Sequence, residues 1–318
     1  MARTVGVVGL GIMGSAFAAN LAASGFEVVG FDVDPARSAR LEGTGVEIVR
    51  SAADAGRRAE VLITSLPSVA ALEDVVADLE TVDGHGRVLA EAGTLPVAAK
   101  QAAAARLGAR GFAVLDTPVS GTGAQARTRD LVVYAAGDAE VVDRCRPVFA
   151  GFARSCRYVG GFGAGMTVKL VANLLVAVHN VAAAEALLLG RRAGLDPNLL
   201  LDVLVDGAGM SRMLQVRGPI MIAGAYDPPT ASVDMFIKDL GLIGALAAEL
   251  HCPLPVLAAS AQLYTAAAAQ GRGPQDAASV MAVLEQMAGI HPAQPVDPVE
   301  PVEAAAQPSP AQAPSPAR

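Results

Sequence analysis

A lysine set in an apolar helical run is the residue of this 318-residue sequence best suited to chemistry. In Gly163-Ala164-Gly165-Met166-Thr167-Val168-Lys169-Leu170-Val171-Ala172-Asn173, Lys169 and Asn173 are four apart and so share one helix face. Val176 and Asn180 continue that stripe. Burial beside Val168, Leu170 and Val171 would lower the amine's pKa toward neutrality and suit it to proton transfer. A lysine near a helix start can equally run its ammonium out to water, and composition does not decide between the two. Asp116-Thr117-Pro118-Val119-Ser120-Gly121-Thr122 follows an expected strand and turns sharply. There the Ser120 hydroxyl and the N–H groups around Gly121 could grip a carboxylate, or the turn could be purely structural. Lys238-Asp239-Leu240 opens a late helix, where a surface ion pair is the ordinary role. His85, His179, His251 and His291 show no metal-ligand spacing; His179 reads as a core residue, and no metal is expected.

A second candidate site lies at the N-terminus. Gly9-Leu10-Gly11-Ile12-Met13-Gly14 fits G-x-G-x-x-G. Alone this pattern is weak. Here it follows a strand pattern, opens a helix and precedes a second strand ending at Asp32, 18 residues after Gly14, close to the offset of about 20 expected for a ribose-binding acid. Gly9 makes the tight turn, Gly11 lets the backbone approach a pyrophosphate, and Gly14 lets helix and strand pack closely. The helix N-terminus adds free N–H groups and positive dipole. Asp32 favours NAD, because a carboxylate accepts from a ribose 2′-OH and repels a 2′-phosphate. Asp34 before Pro35 reads as a helix N-cap. Arg37 reads as a solvated helix residue; as a possible 2′-phosphate partner it keeps NADP open.

The elements that must position these groups follow from periodicity. Thr4–Val8, Glu27–Phe31, Val61–Ser65, Arg87–Ala90, Ala113–Leu115 and Leu131–Ala135 read as strands. They alternate with helical stretches at Met13–Ser24, Ala36–Glu42, Ala70–Leu79, Val97–Ala109 and Ala139–Phe149. This rhythm predicts an α/β fold with an N-terminal doubly wound parallel sheet of Rossmann type. From about residue 163 helical periods dominate: Gly163–Gly190 as one long helix, then Pro197–Val205, Arg212–Gly218, Met235–Leu250, Leu254–Gln270 and Asp276–Ala288. The expected organisation is a cofactor domain over 1–162 and a C-terminal all-α domain over 163–290 that begins with a long interdomain helix. Residues 291–318 hold eight prolines in 28 residues and read as a disordered tail.

Composition narrows the class. Hydrophobic residues make up 53% and charged residues 17%, ample for a packed core. A net charge of -7 argues against nucleic-acid binding. Leu170–Leu189 is long enough to cross a bilayer, yet it carries Asn173, His179, Asn180 and Glu185 and reads as a core helix, so no membrane partner is expected. Cys145, Cys156 and Cys252 suggest neither a disulfide framework nor a metal site, and point to a reducing, cytoplasmic setting.

Taken together, these segments resemble the β-hydroxyacid dehydrogenase family, to which 3-hydroxyisobutyrate dehydrogenase and tartronate semialdehyde reductase belong. Four motifs match in order: Gly9–Gly14, Asp116–Gly121 (D-x-P-V-S-G), Gly163–Asn173 (G-x-G-x-x-x-K-x-x-x-N) and Lys238–Leu240 (K-D-L). The likeness spans about residues 4–289. It implies Lys169 as acid/base, Asn173 holding the substrate, and Ser120, Gly121 and Thr122 at the substrate carboxylate. Gly9, Gly11, Ile12, Met13, Gly14, Asp32, Leu66, Pro67 and Thr94 would line the cofactor, and Lys238 would approach its nicotinamide end beside the substrate. It further implies homodimers or homotetramers.

The family's L-threonate dehydrogenase branch is matched further at Leu174–Gly190, Gly224–Leu242, Cys252–Pro255 and Gly271–Asp276. Thr122 replaces a second glycine, Arg212 stands where that branch tends to carry an aromatic, Asn173 replaces a histidine of some members, and Ala277 lacks a common acid. The expected function is hydride transfer between NAD and a small hydroxy acid, a sugar acid such as L-threonate, with 3-hydroxyisobutyrate dehydrogenase or tartronate semialdehyde reductase as runners-up. An imine reductase, a decarboxylating relative and a non-catalytic cofactor-binding module are the remaining readings. Lys169 and Asn173 weigh against the first and the last, and the decarboxylating relative's phosphate-binding basic set is not found.

Overall fold

The computed structural model describes residues 4–290; the expected tail lies outside the described residues. The N-terminal half runs β1 (Thr4–Val8), α1 (Ile12–Ala23), β2 (Glu27–Phe31), α2 (Pro35–Ala39), β3 (Val46–Ile48), α3 (Ala52–Arg58), β4 (Val61–Thr64), α4 (Val69–Leu79), β5 (Val88–Glu91), α5 (Val97–Gly108), β6 (Ala113–Asp116), β7 (Val119–Ser120), α6 (Gly123–Arg127), β8 (Val132–Ala136), α7 (Ala139–Phe152) and β9 (Ser155–Gly160). The strands form one sheet in the order β3-β2-β1-β4-β5-β6-β8-β7, with β9 on β8. Strands β1 to β6 are parallel; β8 runs antiparallel to β6 and β7, and β9 runs parallel to β8.

Both faces of the sheet are covered, which is why its central strands are continuous apolar runs. Alternate residues point to opposite faces. Val5, Val7, Val61, Ile63 and Ala90 pack with Phe17 and Leu21 of α1 and Phe149 of α7. Val8, Val29, Leu62 and Leu89 pack on the other side with Leu72 and Val76 of α4 and Leu107 of α5.

The elements without a sequence forecast are β3, β7, β9, α3 and α6. Strand β3 has three residues and β7 two, too few for a period to show. Strand β9, Ser-Cys-Arg-Tyr-Val-Gly, has no fully buried residue, so it lacks the apolar run that marks a central strand. The seven-residue α3 starts from a cap, Ser51 Oγ accepting from Asp54 N, rather than from an apolar stripe.

The C-terminal half is helical among the described residues. It contains α8 (Ala164–Arg192), α9 (Pro197–Asp206), α10 (Arg212–Ala223), α11 (Val233–Glu249), α12 (Pro255–Ala269), a single 3₁₀ turn (Ala277–Ser279) and α13 (Val280–Met287). Helix α8 is long and apolar enough to cross a membrane by length and composition alone. Here its Leu170, Ala177, Val181, Ala184 and Leu187 build the second core with Leu214, Phe236, Tyr264 and Met281. Asn180, expected on the Lys169 stripe, is instead sealed into this core, donating to Tyr264 Oη (3.0 Å) and the Ala277 carbonyl (2.9 Å). It keeps the face of Lys169 but lies eleven residues, roughly 16 Å, further along α8, where α12 rather than the cleft covers that face. His179 is half-buried rather than part of the core.

Candidate active site

The parallel strands deliver the expected cofactor residues to one edge. Gly9 follows β1, Asp32 follows β2, Leu66 follows β4 and Thr94 follows β5, all at carboxyl ends on either side of the point where strand order reverses, the usual ligand crevice of such a sheet. Gly9 has φ +88°, and a Cβ there would stand 2.3 Å from the Ser65 carbonyl oxygen; a Cβ on Gly14 would stand 1.8 Å from that of Gly9. At Gly11, by contrast, a Cβ would meet only the Arg37 guanidinium at 4.0 Å. The open space over Gly11, at the free N-terminus of α1, fits a dinucleotide pyrophosphate. Ile12 is exposed beside it, Met13 is half-buried against the sheet core, Leu66 flanks Gly9, and Pro67 is exposed.

The Asp32 carboxylate is fixed by two backbone donors, Leu10 N (2.7 Å) and Asp34 N (2.8 Å). Asp34 caps α2 by accepting from Ala36 N. Arg37 is not simply solvated: it folds back over the two acids, 3.5 Å from Asp32 and 3.4 Å from Asp34. One turn into α2, its long side chain reaches both.

Across the helical half a cleft of about 370 Å³ opens, lined by Ser120–Thr122, by Lys169, Asn173, Val176 and Ala177 of α8, and by parts of α10 and α11. Lys169 is half-buried. Burial of its ammonium, with Lys238 nearby, lowers its pKa below the ordinary 10.5, against the opposing pull of Asp239. Asn173 Nδ2 donates to Asp239 Oδ2 (2.7 Å). Asp239 Oδ1 is buried without a hydrogen-bond partner, 3.4 Å from Lys238 Nζ. Lys238 lies in the second turn of α11 and donates to the Thr94 carbonyl (3.1 Å), so the late Lys-Asp pair ties the helical half to the cofactor edge rather than forming a mere surface pair.

On the opposite wall the turn after β7 presents donors. Pro118 O accepts from Tyr134 N, so ladder alternation puts Ser120 in a bonded pair with Val132 and leaves the Gly121 N–H off the sheet. The φ of +137° at Gly121 aims the chain there. Thr122 borders the cleft but is already engaged: its N–H donates to Gln125 Oε1 (3.0 Å) and its hydroxyl caps α6. The donors left in this turn are the Ser120 hydroxyl and the Gly121 N–H.

Several groups at or near this site were given no role in the sequence reading. Gln125 Nε2 and Arg154 Nε both hold Asp130 (3.0 and 2.8 Å) behind Thr122. Arg217 of α10 is 3% exposed, pairs with Asp276 (3.2 Å) and lies over the Phe236 ring (4.8 Å). Arg212, one turn earlier, bonds only the neutral Gln215 among described residues. A cluster of Lys100, Glu91 and Asp116 is wholly buried beneath Thr94. A charged residue closing an apolar strand, as in Val88-Leu89-Ala90-Glu91, is the one signal that pointed to it. Among the described residues no group of three or more His, Cys, Asp or Glu could hold a metal.

A parallel sheet with a glycine-rich crevice, joined to a helical domain across a lysine-bearing cleft, defines a two-domain NAD(P)-dependent dehydrogenase acting on a CH–OH group. Residues 4–160 match the model for the NAD-binding domain of 6-phosphogluconate dehydrogenase, and residues 163–284 that for the NAD-binding region of NADP-dependent 3-hydroxyisobutyrate dehydrogenase. The chain is 35% identical over 287 residues to an L-threonate dehydrogenase of Cupriavidus necator, covering 89% of this chain and 96% of that one. It is 30% identical over 295 residues to a 2-(hydroxymethyl)glutarate dehydrogenase of Eubacterium barkeri, covering 90% and 96%. The structure of Mycobacterium tuberculosis 3-hydroxyisobutyrate dehydrogenase with L-serine superposes with a TM-score of 0.82 at 29% identity, over 89% of this chain and 99% of that one. The chain belongs to the β-hydroxyacid dehydrogenase family, of the 3-hydroxyisobutyrate dehydrogenase type.

Proposed function

We propose that the protein interconverts a small polyhydroxy acid, of the L-threonate kind, and its oxo acid, with NAD preferred over NADP. The observation that carries this reading is the Lys169 amine, which has no hydrogen-bond or ion-pair partner among the described residues and stands in one cleft with the Asn173–Asp239 pair. Bound NAD would supply the hydride acceptor; everything else falls to the chain. The Ser120 hydroxyl and Gly121 N–H hold the carboxylate. Lys169, its charged form disfavoured by burial, takes the proton of the reacting hydroxyl in oxidation and returns it in reduction. Asn173, with one amide N–H held by Asp239, keeps Oδ1 as an acceptor that orients that hydroxyl.

The polar lining of the cleft, which includes Gln125, Asn173 and Arg212 beside Ser120, suits a substrate with several hydroxyls better than one with a lone hydroxyl and a methyl branch. The names of the L-threonate dehydrogenase relatives support the same choice, with 3-hydroxyisobutyrate as second candidate. The Asp32 carboxylate supports NAD, and Arg37 beside it leaves a cation for NADP. Exposed Val171, Leu175, Leu199 and Val203 support a homo-oligomer, and three free thiols support a reducing cytoplasm. The test is NADH and NADPH formation from L-threonate, D-threonate, erythronates, glycerate, 3-hydroxyisobutyrate and 3-hydroxypropionate, with Lys169→Ala as control. NADH from a sugar acid, lost in the variant, is the expected result; silence across the panel with NADH still bound would refute it.

A further inference from the structure

Three ionisable side chains meet in the interior where no reaction step uses them. Lys100 of α5, Glu91 at the end of β5 and Asp116 at the end of β6 are each at most 2% exposed. Lys100 Nζ lies 2.5 Å from Asp116 Oδ1 and 2.7 Å from Glu91 Oε2, and donates to the Gly93 carbonyl at 3.1 Å. Each acid spends its other oxygen on a backbone N–H: Asp116 Oδ2 accepts from Met166 (2.7 Å) and Glu91 Oε1 from Gly93 (2.7 Å). Burial works against the Lys100 ammonium, but the two acids outweigh it and hold its pKa above the ordinary value.

Stability does not account for such a cluster, since well-packed apolar side chains in place of a buried ion group are often neutral or stabilising. What apolar side chains cannot do is fix particular N–H and C=O groups. Those fixed here belong to two segments only. Met166 is in the first turn of α8, one turn before Lys169, and Asp116 packs against it so closely that a Cβ on Gly165 would stand 2.8 Å from the Asp116 carbonyl oxygen. Gly93 precedes Thr94, whose carbonyl takes Lys238.

We propose that the Lys100–Glu91–Asp116 cluster is a positioning device for the reaction, locking the start of α8, and so Lys169, in register with the Gly93–Thr94 segment of the cofactor edge. The proposal rests on the role given to Lys169 above. Lys100 is a positioning residue, acting through Met166 and Gly93 without touching substrate.

The test compares Lys100→Met and the milder Asp116→Asn with wild type for kcat, KM, NADH binding by fluorescence, and the pH dependence of Lys169 acylation by acetic anhydride, read by peptide mass. Arg106→Met, on the same helix as Lys100, breaks ion pairs to Glu73 and Glu80 at α4 and controls for lost stability. The expected result is a fall in kcat on the order of tenfold to hundredfold, as for a reacting group displaced by about 1 Å. KM and NADH binding stay near wild type, the acylation midpoint shifts, and none of this occurs in Arg106→Met. Wild-type kcat and an unmoved midpoint in a folded variant of lower Tm would overturn the proposal. If wild type oxidised no acid while the midpoint still moved in the variants, the functional reading would fail and the positioning role would stand.

Discussion

Replacing Lys169 by Met removes the amine and keeps most of the side chain's apolar volume. Loss of a positioned acid/base costs about 10²–10⁴ in rate, or roughly 2.7–5.5 kcal/mol of transition-state stabilisation. Among the described residues the cleft holds no second amine so placed: Lys238 is committed to the Thr94 carbonyl and Asp239. The assay is NADH formation from the preferred acid across pH. In wild type the rate should rise through the lowered pKa of Lys169 and level off below its ordinary 10.5; in Lys169→Met the residual rate should lack that limb. The same substitution has a stability signature of opposite sign. The native state disfavours the charged amine, so below the folded pKa it carries an unfavourable buried charge, which is relieved as pH climbs from the folded pKa toward 10.5. Lys169→Met should therefore raise Tm at neutral pH, with the gain shrinking as pH approaches the unfolded value. A variant that keeps a tenth or more of wild-type activity, or an unchanged pH limb, would refute the assignment of Lys169.

Other substitutions separate the remaining roles. Gly11→Ala, whose Cβ enters open space, should leave Tm near wild type while weakening NADH binding in a fluorescence titration, whereas Gly14→Ala, with its Cβ 1.8 Å from a carbonyl oxygen, should lower both. Asp239→Asn removes the carboxylate that raises the Lys169 pKa, so the midpoint of the pH–rate profile should move to lower pH. Asn173→Ala strips Asp239 of its 2.7 Å donor; loss of a hydrogen bond to a charged group should cost about 1.5–3 kcal/mol in denaturant unfolding, together with a fall in kcat. Arg212→Ala, removing a cleft cation that makes no direct ion pair among the described residues, should raise KM for acids with kcat little changed, and the effect should fade at high salt.

Much of this protein was written locally. The glycine loop, Asp32, and the strands β1, β2 and β4 are set by short-range rules: a period, a turn and a cap within about 30 residues. The Lys169–Asn173 face followed from helical spacing, because residues four apart meet wherever the helix sits. The sequence by itself thus determined the layered sheet, the long α8 and the residue types available for hydride transfer. Only the tertiary structure decided what those residues meet. Asn173 pairs with Asp239, 66 residues away; Lys238 reaches Thr94 across 144; Arg37 folds onto Asp32; Thr122 turns inward to Gln125; and Asn180, on the same stripe as Lys169, ends in the core. Whether a lysine on an apolar helix snorkels to water or stands with a lowered pKa depends on which helices cover it. The covering helix, α11, begins 64 residues after Lys169, and no local period encodes where it comes to rest.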